Sequence, residues 1–211
     1  QLMIYPKIQG PFYRHQHGPE KGQLDRTKWT IPEFETLRDV AWLFTEKVDG
    51  MNMRVEWDGF KVRYAGRTEN AQIPGDLLEY MNEHFPEDLV EQQFGRSVVT
   101  LYGEGYGAGI QRGGLYGDDK RFILFDVRIG EHWLRRFDVE GIAMGFEVPC
   151  VDVYFGHTLN RAIDRVTEGL PSLLREGFAE GLVGTPNCGL LTRSSERIIV
   201  KVKHTDLYEE H

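Results

Sequence analysis

The sequence predicts an α+β fold in which antiparallel sheets are flanked by helices. Three observations carry this. Residues 52–57 alternate, with Met53, Val55 and Trp57 on one side, before Asp58-Gly59 turns the chain into residues 60–64. Alternation around Asp-Gly marks a hairpin. Short β-rich runs recur at residues 42–47, 97–102, 122–128, 181–183 and 197–203. Helical stretches are set apart from these. Residues 74–84 begin with Pro74 and space Leu77, Leu78 and Met81 for one apolar face. Residues 136–146 and 160–167 also read as helices, with Asp138 and Asn160 as expected N-caps. The first forty residues, rich in Gly, Pro and polar side chains, read as loops with short strands. With no internal repeat and no Pro/Ser-rich linker, residues 1–211 are expected to form one domain.

Composition narrows the class. Of 211 residues, 40% are apolar and 12% aromatic, enough for a substantial core and unlike a disordered chain. No apolar run approaches the ~18 residues needed to span a bilayer, so no membrane partner is expected. The start carries no apolar signal-peptide region. Cys150 and Cys188 lie far apart and form neither a zinc spacing nor a disulfide framework. A reduced, cytoplasmic setting is the expectation. The net charge of −8, from 25 Lys+Arg against 33 Asp+Glu, argues against coating nucleic acid by bulk positive charge but leaves room for a local basic site.

The segment Glu46-Lys47-Val48-Asp49-Gly50-Met51-Asn52 places a lysine at the end of an apolar strand, before a tight turn. Lysine at its free pKa of about 10.4 is nearly all ammonium and a poor nucleophile. A cleft at a strand end would lower that pKa by desolvation or by neighbouring cations. Gly50 would let the backbone approach a ligand closely. Alone, the pattern is equally that of a surface hairpin with one exposed lysine.

Its companions change the weighing. Lys47-Val48-Asp49-Gly50 resembles motif I of the covalent nucleotidyltransferase superfamily, which comprises RNA ligases, DNA ligases and mRNA capping enzymes. The superfamily's other motifs follow in order. Gly66-Arg67-Thr68 resembles motif Ia, and Tyr102-Gly103-Glu104-Gly105-Tyr106-Gly107 motif III. Phe122-Ile123-Leu124-Phe125-Asp126-Val127 is similar to motif IIIa, Glu180-Gly181-Leu182-Val183 to motif IV, and Val200-Lys201-Val202-Lys203 to motif V.

The resemblance implies an ATP-grasp-like nucleotidyltransferase domain, without an OB-fold domain, and assigns roles. Lys47 is the catalytic nucleophile that takes AMP from ATP, and Lys201 and Lys203 neutralise the α-phosphate. Glu104 binds the ribose, Phe125 stacks on adenine and Val183 closes the other face of the base. Glu180 is the Mg²⁺ carboxylate. Arg67 grips a phosphate, and Asn52 lies near the α-phosphate. Glu46 and Asp126 complete the cofactor-binding set. Elementary chemistry agrees for some of these: Lys201 and Lys203 alternate on a strand and so share a face. Magnesium takes few protein carboxylates and keeps several waters. Taken singly, Phe125 and Val183 read as core, and Lys201 and Lys203 as a solvated strand face. His15, His17 and His204 read as solvated or incidental. Lys120, Arg121, Arg128, Arg135 and Arg136 form either a basic edge for a phosphate backbone or a solvated face.

Within the superfamily, the chain is most similar to phage-type ATP-dependent RNA ligases that act in RNA repair. Asn52 follows Lys47 by five residues and Arg67 by twenty, and Tyr5-Pro6-Lys7-Ile8 resembles their N-terminal strand. Asp49, which DNA ligases and capping enzymes prefer, and Met51, where threonine is common, depart from that group. The implied partners are RNA ends or nicks, with DNA as the alternative, and a C-terminal domain or partner protein to engage them. The implied reaction is transfer of AMP to a 5′-phosphate and sealing to a 3′-OH. The competing readings are a compact ATP-dependent DNA ligase core and a catalytically idle nucleotide or nucleic-acid end-binding module.

Overall fold

From its N-terminus the chain forms β1 (Phe12–Arg14), β2 (Leu24–Trp29), α1 (Pro32–Thr36), β3 (Trp42–Glu46), β4 (Met51–Trp57) and β5 (Val62–Gly66). Next come α2 (Gly75–His84), α3 (Glu87–Phe94), β6 (Val99–Tyr106), a 3₁₀ turn (Gly113–Leu115), β7 (Arg121–Ile129) and β8 (His132–Trp133). The chain continues through α4 (Arg136–Gly145), β9 (Val153–His157), α5 (Leu159–Glu168), β10 (Gly181–Pro186), β11 (Val200–Lys203) and α6 (His204–Leu207). The structure is a computed structural model and describes residues 3–207. The expected α+β class with antiparallel sheets is the class found. Residues 5–8 take no strand; Gln9 makes an isolated parallel bridge to Val200.

The chain is organised as two compact units whose segments interleave. The first joins the residues up to Pro6 with Val48–Val151; the second joins Lys7–Lys47 with the residues from Asp152 onward. The crossings carry no linker composition, so the sequence offered no boundary.

The first unit is built on a five-stranded antiparallel sheet, order β5-β4-β6-β7-β8. Met53, Val55 and Trp57 of β4 face α2, α3 and α4, meeting Leu77, Met81, Val90, Val139 and Ile142 in one core. Leu78, expected on that face of α2, is exposed. Asp58 fixes the β4–β5 turn by accepting from the Phe60 and Lys61 amides at 2.8 Å, and Gly59 supplies the positive φ of 95°. The other face of β4 departs from simple alternation, since Arg54 and Glu56 are only 1% exposed. Arg54 pairs with Glu56 at 3.2 Å and Glu69 at 2.9 Å, while Arg63 reaches both carboxylates. Charges are buried this completely only when paired.

Strand β7 carries a bulge. Tyr102 pairs with Asp126 but Gly103 pairs with Leu124, so Phe125 is the extra residue. Such insertions turn a side chain out of register with the pleat. Arg136, first residue of α4, buttresses the bulge by donating to the Phe125 carbonyl at 3.5 Å and the Val151 carbonyl at 2.8 Å. The N-cap of α4 is Arg135, not Asp138, which lies in the first turn where its charge suits the helix dipole.

The second unit holds a four-stranded antiparallel sheet, order β11-β10-β3-β9, and the separate β1–β2 ribbon. Leu159, Ala162, Ile163 and Val166 of α5 recur at helical spacing and pack on Trp42, Phe44, Leu182 and Val202. The N-cap of α5 is Thr158, whose hydroxyl accepts from the Arg161 amide, and not Asn160. Asn160 instead donates to Asp39 at 2.8 Å. Gly181 is required by close approach: a Cβ there would sit 2.0 Å from the Val202 carbonyl oxygen. Among the described residues no helix is long and apolar enough to cross a membrane.

Candidate active site

The register of the second unit's sheet sorts the motif residues by face. Gly181 pairs with Lys203, and the Lys47 amide donates to the Gly181 carbonyl at 2.9 Å. Val183 pairs with both Lys201 and Thr45. Side chains directly opposite across a ladder share a face. Lys47, Lys203, Lys201 and Val183 therefore project from one side of three adjacent strands. Glu180, just before β10, reaches into this group. Its Oε2 lies 2.8 Å from Lys47 Nζ and its Oε1 2.9 Å from Lys203 Nζ. The three side chains are 27%, 13% and 28% exposed in the order Lys47, Glu180, Lys203, open to a ligand yet mostly desolvated.

Lys201 completes the group. Burial pushes its ammonium below the ordinary lysine range, Lys203, Lys47 and Lys7 push the same way, and Asp206 opposes them. Two lysines thus converge on one carboxylate and a third shares their sheet face, an arrangement with positive charge to spare for a phosphate.

Glu46 is elsewhere. It pairs with Leu182, whose neighbour row is the buried Val202, so its side chain lies on the core face, opposite to Lys47. Its carboxylate accepts from Ser172 Oγ at 2.5 Å, the Leu173 amide at 2.8 Å and Tyr154 Oη at 3.3 Å. Burial and the Glu46 charge together raise the Tyr154 phenol well above its ordinary range. Glu46 therefore fastens the 171–175 loop that leads into Glu180.

The first unit carries the remaining motif residues. Asn52 of β4 and Glu104 of β6 are directly opposite each other. Asn52 Oδ1 is buried without a protein hydrogen-bond partner. A Cβ at Gly50 would lie 2.2 Å from the Gly105 carbonyl oxygen, so motif I can pack on motif III only with glycine there. The Asp49 amide donates to Tyr116 Oη at 3.1 Å. Phe125, on its bulge, is half-buried between buried neighbours, and the Tyr5 ring meets it edge-on at 5.2 Å. Asp126 accepts from Tyr5 Oη at 2.9 Å. Arg67 is exposed in the turn after β5, and that turn is tied down by Glu69.

Among residues outside the motifs, His204 bonds the Val166 carbonyl at 2.8 Å and His15 pairs with Glu20 at 3.5 Å. Lys120 pairs with Asp76 and Arg136 with Glu140, so these parts of the expected basic edge are neutralised locally. In the second unit Ser172 and Tyr154 contact Glu46, and in the first Tyr116 contacts Asp49, without any sequence signal, because each acts on a residue distant in the chain.

Among the described residues no group of three His, Cys, Asp or Glu is placed to hold a metal ion. Glu180 offers a carboxylate paired with two of the lysines. A single carboxylate suits Mg²⁺ carried in with nucleotide phosphates and not a dedicated protein cage.

Comparison with known proteins bears on this site. The family profile described as RNA ligase matches residues 40–203. No curated protein matches the chain in sequence. The fold is similar to solved structures of an RNA ligase from Naegleria gruberi. A lysine-to-alanine mutant with ATP and Mn superposes with a TM-score of 0.67 at 18% identity, covering 98% of this chain and 64% of that one. A lysine-to-methionine mutant with AMP and Mn gives 0.65 at 20% identity, covering 83% and 53%. An apo lysine mutant gives 0.65 at 20% identity, covering 83% and 52%. The chain thus spans between about half and two-thirds of the length of these structures.

Proposed function

This chain belongs to the RNA ligase family, and from that premise we propose that it is the adenylyl-transfer part of an ATP-dependent RNA ligase. The observation that carries the reading is the convergence of Lys47, Lys203 and Lys201 on the face where Glu180 bridges the first two. A binding module needs the cations but not a lysine poised at a strand end.

In this reading Lys47 Nζ gives up its proton and attacks the α-phosphorus of ATP. The P–N bond forms as the bond from phosphorus to the pyrophosphate oxygen breaks, and AMP remains on the lysine. Lys203 and Lys201 lie on the same sheet face and balance the charge that builds on the phosphate oxygens. Mg²⁺, when bound, would neutralise the phosphates, and Glu180 would hold it directly or through water. Glu104 would take the ribose hydroxyls, Phe125 and Val183 the faces of adenine, and Asn52 Oδ1 would find there the partner it lacks. Arg67 would grip the 5′-phosphate of the strand that receives AMP, with Asp126 near the joined ends. Glu46 contributes by fixing the loop before Glu180. Transfer of AMP to a 5′-phosphate and attack by a 3′-OH would then seal the strand.

Incubation with labelled ATP and Mg²⁺ should yield a covalent protein–AMP adduct that is lost in Lys47→Ala. A wild-type protein left unlabelled by ATP, GTP and NAD would overturn the reading. Sealing assays on nicks with RNA or DNA strands test the substrate, and a preference for DNA on both sides would sink the RNA assignment.

A further inference from the structure

We propose that the β1–β2 ribbon is a docking track for the phosphodiester backbone of RNA, leading toward the strand that carries Lys201 and Lys203. The inference rests on the RNA ligase reading above.

The ribbon stands apart from the four-stranded sheet of its unit. Its inner side chains, Phe12, Leu24 and Trp29, pack on the core, with the Phe12 and Trp29 rings 5.0 Å apart. Alternation then puts Tyr13 and His15 on the outer side, where their rings meet edge-on at 5.5 Å and Lys28 Nζ sits 4.3 Å over Tyr13. The outer side is therefore aromatic and cationic, while the inner side is apolar.

A wide bulge strengthens this. Phe12 pairs with Trp29 but Tyr13 pairs with Asp25, so Arg26, Thr27 and Lys28 protrude from the ladder. Asp25 holds their shape by accepting from the Thr27 amide at 2.9 Å and the Thr27 hydroxyl at 2.6 Å. The bulge thus carries Lys28 out of the ladder. Lys21 and Lys28 are exposed, and neither is held in an ion pair among the described residues.

The charge is local. Residues 7–29 hold five Lys/Arg against two acids, within a chain of net charge −8. Two ties connect the ribbon to the catalytic strand's continuation: Arg14 pairs with Asp206 at 3.2 Å, and Arg26 donates to the Leu207 carbonyl. Lys7 lies two residues before Gln9, whose carbonyl accepts from the Lys201 amide at 2.9 Å. Cationic side chains thus run from the ribbon to β11. A polyanion with one charge per nucleotide is the partner that the exposed lysines and the outward aromatic side complement in charge and chemistry.

The test is the salt dependence of binding to a 5′-phosphorylated single-stranded RNA oligonucleotide, followed by fluorescence anisotropy over a range of KCl. Each lysine–phosphate contact on a single strand contributes about 0.7 to the slope of log K against log salt. The double variant Lys21→Ala/Lys28→Ala should lower the slope by about 1.4, and Lys21→Arg/Lys28→Arg should restore it. AMP labelling should be unchanged in both, which also shows that both fold. An unchanged slope in the alanine variant, or capture of poly-glutamate but not RNA, would overturn the ribbon assignment. A wild type that takes up AMP but binds no RNA defeats the ribbon and spares the proposed function. A lysine-dependent slope without AMP labelling defeats the function and spares the ribbon.

Discussion

Lys47 and Glu180 form an ion pair of 2.8 Å across a separation of 133 residues. Glu180 also holds Lys203, so its removal would free two lysines on one face without a carboxylate between them. Glu180→Ala and Lys203→Ala should each slow AMP transfer by about 10²–10³-fold, the range for losing one preorganised electrostatic partner. Single-turnover labelling with ATP reads this, and near wild-type melting temperatures would separate it from unfolding.

In the proposed reaction Lys201 introduces a sensitivity to alkali. Burial, reinforced by three neighbouring lysines, lowers its pKa from the ordinary 10.5. Its charge is intact below the lowered value and lost as pH rises through it. Between that value and 10.5 the folded chain binds fewer protons than the unfolded one, so this lysine makes stability rise with pH there. Phosphate affinity falls over the same window. The KM for ATP should therefore climb earlier in wild type than in Lys201→Arg, whose guanidinium keeps its charge. Identical alkaline limbs in the two proteins would contradict this.

Arg54 and Glu56 are both buried on β4. Arg54→Ala leaves a buried carboxylate with one partner fewer, and should destabilise the protein by about 3–5 kcal/mol. Urea unfolding measures the loss. Arg54→Met combined with Glu56→Leu should recover most of it, since the buried carboxylate is then gone as well.

Thr158 and Asn160 offer a contrast within one helix start. Thr158→Ala removes the hydroxyl that accepts from the Arg161 amide and should cost about 1 kcal/mol. Asn160→Ala removes only an exposed bond to Asp39 and should stay within about 0.5 kcal/mol. The reverse ranking in thermal denaturation would place the cap at Asn160.

Phe125 sits half-buried on its bulge, and the proposed reading stacks adenine on it. Aromatic–base stacking contributes about 1–3 kcal/mol. Phe125→Ala should raise the KM for ATP by about 5–100-fold, with a smaller change in the rate at saturating ATP. An unaltered KM would mean that adenine lies elsewhere.

Much of the fold was legible because it rests on local pattern. The β4–β5 hairpin follows from alternation and Asp58-Gly59, and α5 from its apolar spacing. The shared face of Lys201 and Lys203 follows from strand periodicity alone. What escaped depends on contacts between distant residues. Arg54 and Glu56 alternate with the apolar residues of β4, yet are buried against Arg63 and Glu69. Glu46, adjacent to Lys47 in sequence, faces the other way because a strand reverses direction at every residue. The bulge at Phe125 is set by pairing of β6 with β7, which no local signal encodes. Helix α3 is short, and β9 contains Gly156 at a φ of 72°, so neither has a strong periodic signature.

The interleaved order of segments has a consequence for synthesis on the ribosome. The first unit's sheet lies within Val48–Val151 and can close as soon as that stretch has emerged. Strand β3, which ends beside Lys47, has β10 and β9 as its neighbours, and both are made later. Lys47, the proposed nucleophile, must therefore wait without its Glu180 partner until more than a hundred further residues are translated. Any nascent chain halted before β11 would lack both Lys201 and Lys203, so a truncated product would carry Lys47 without the two charges proposed to assist it.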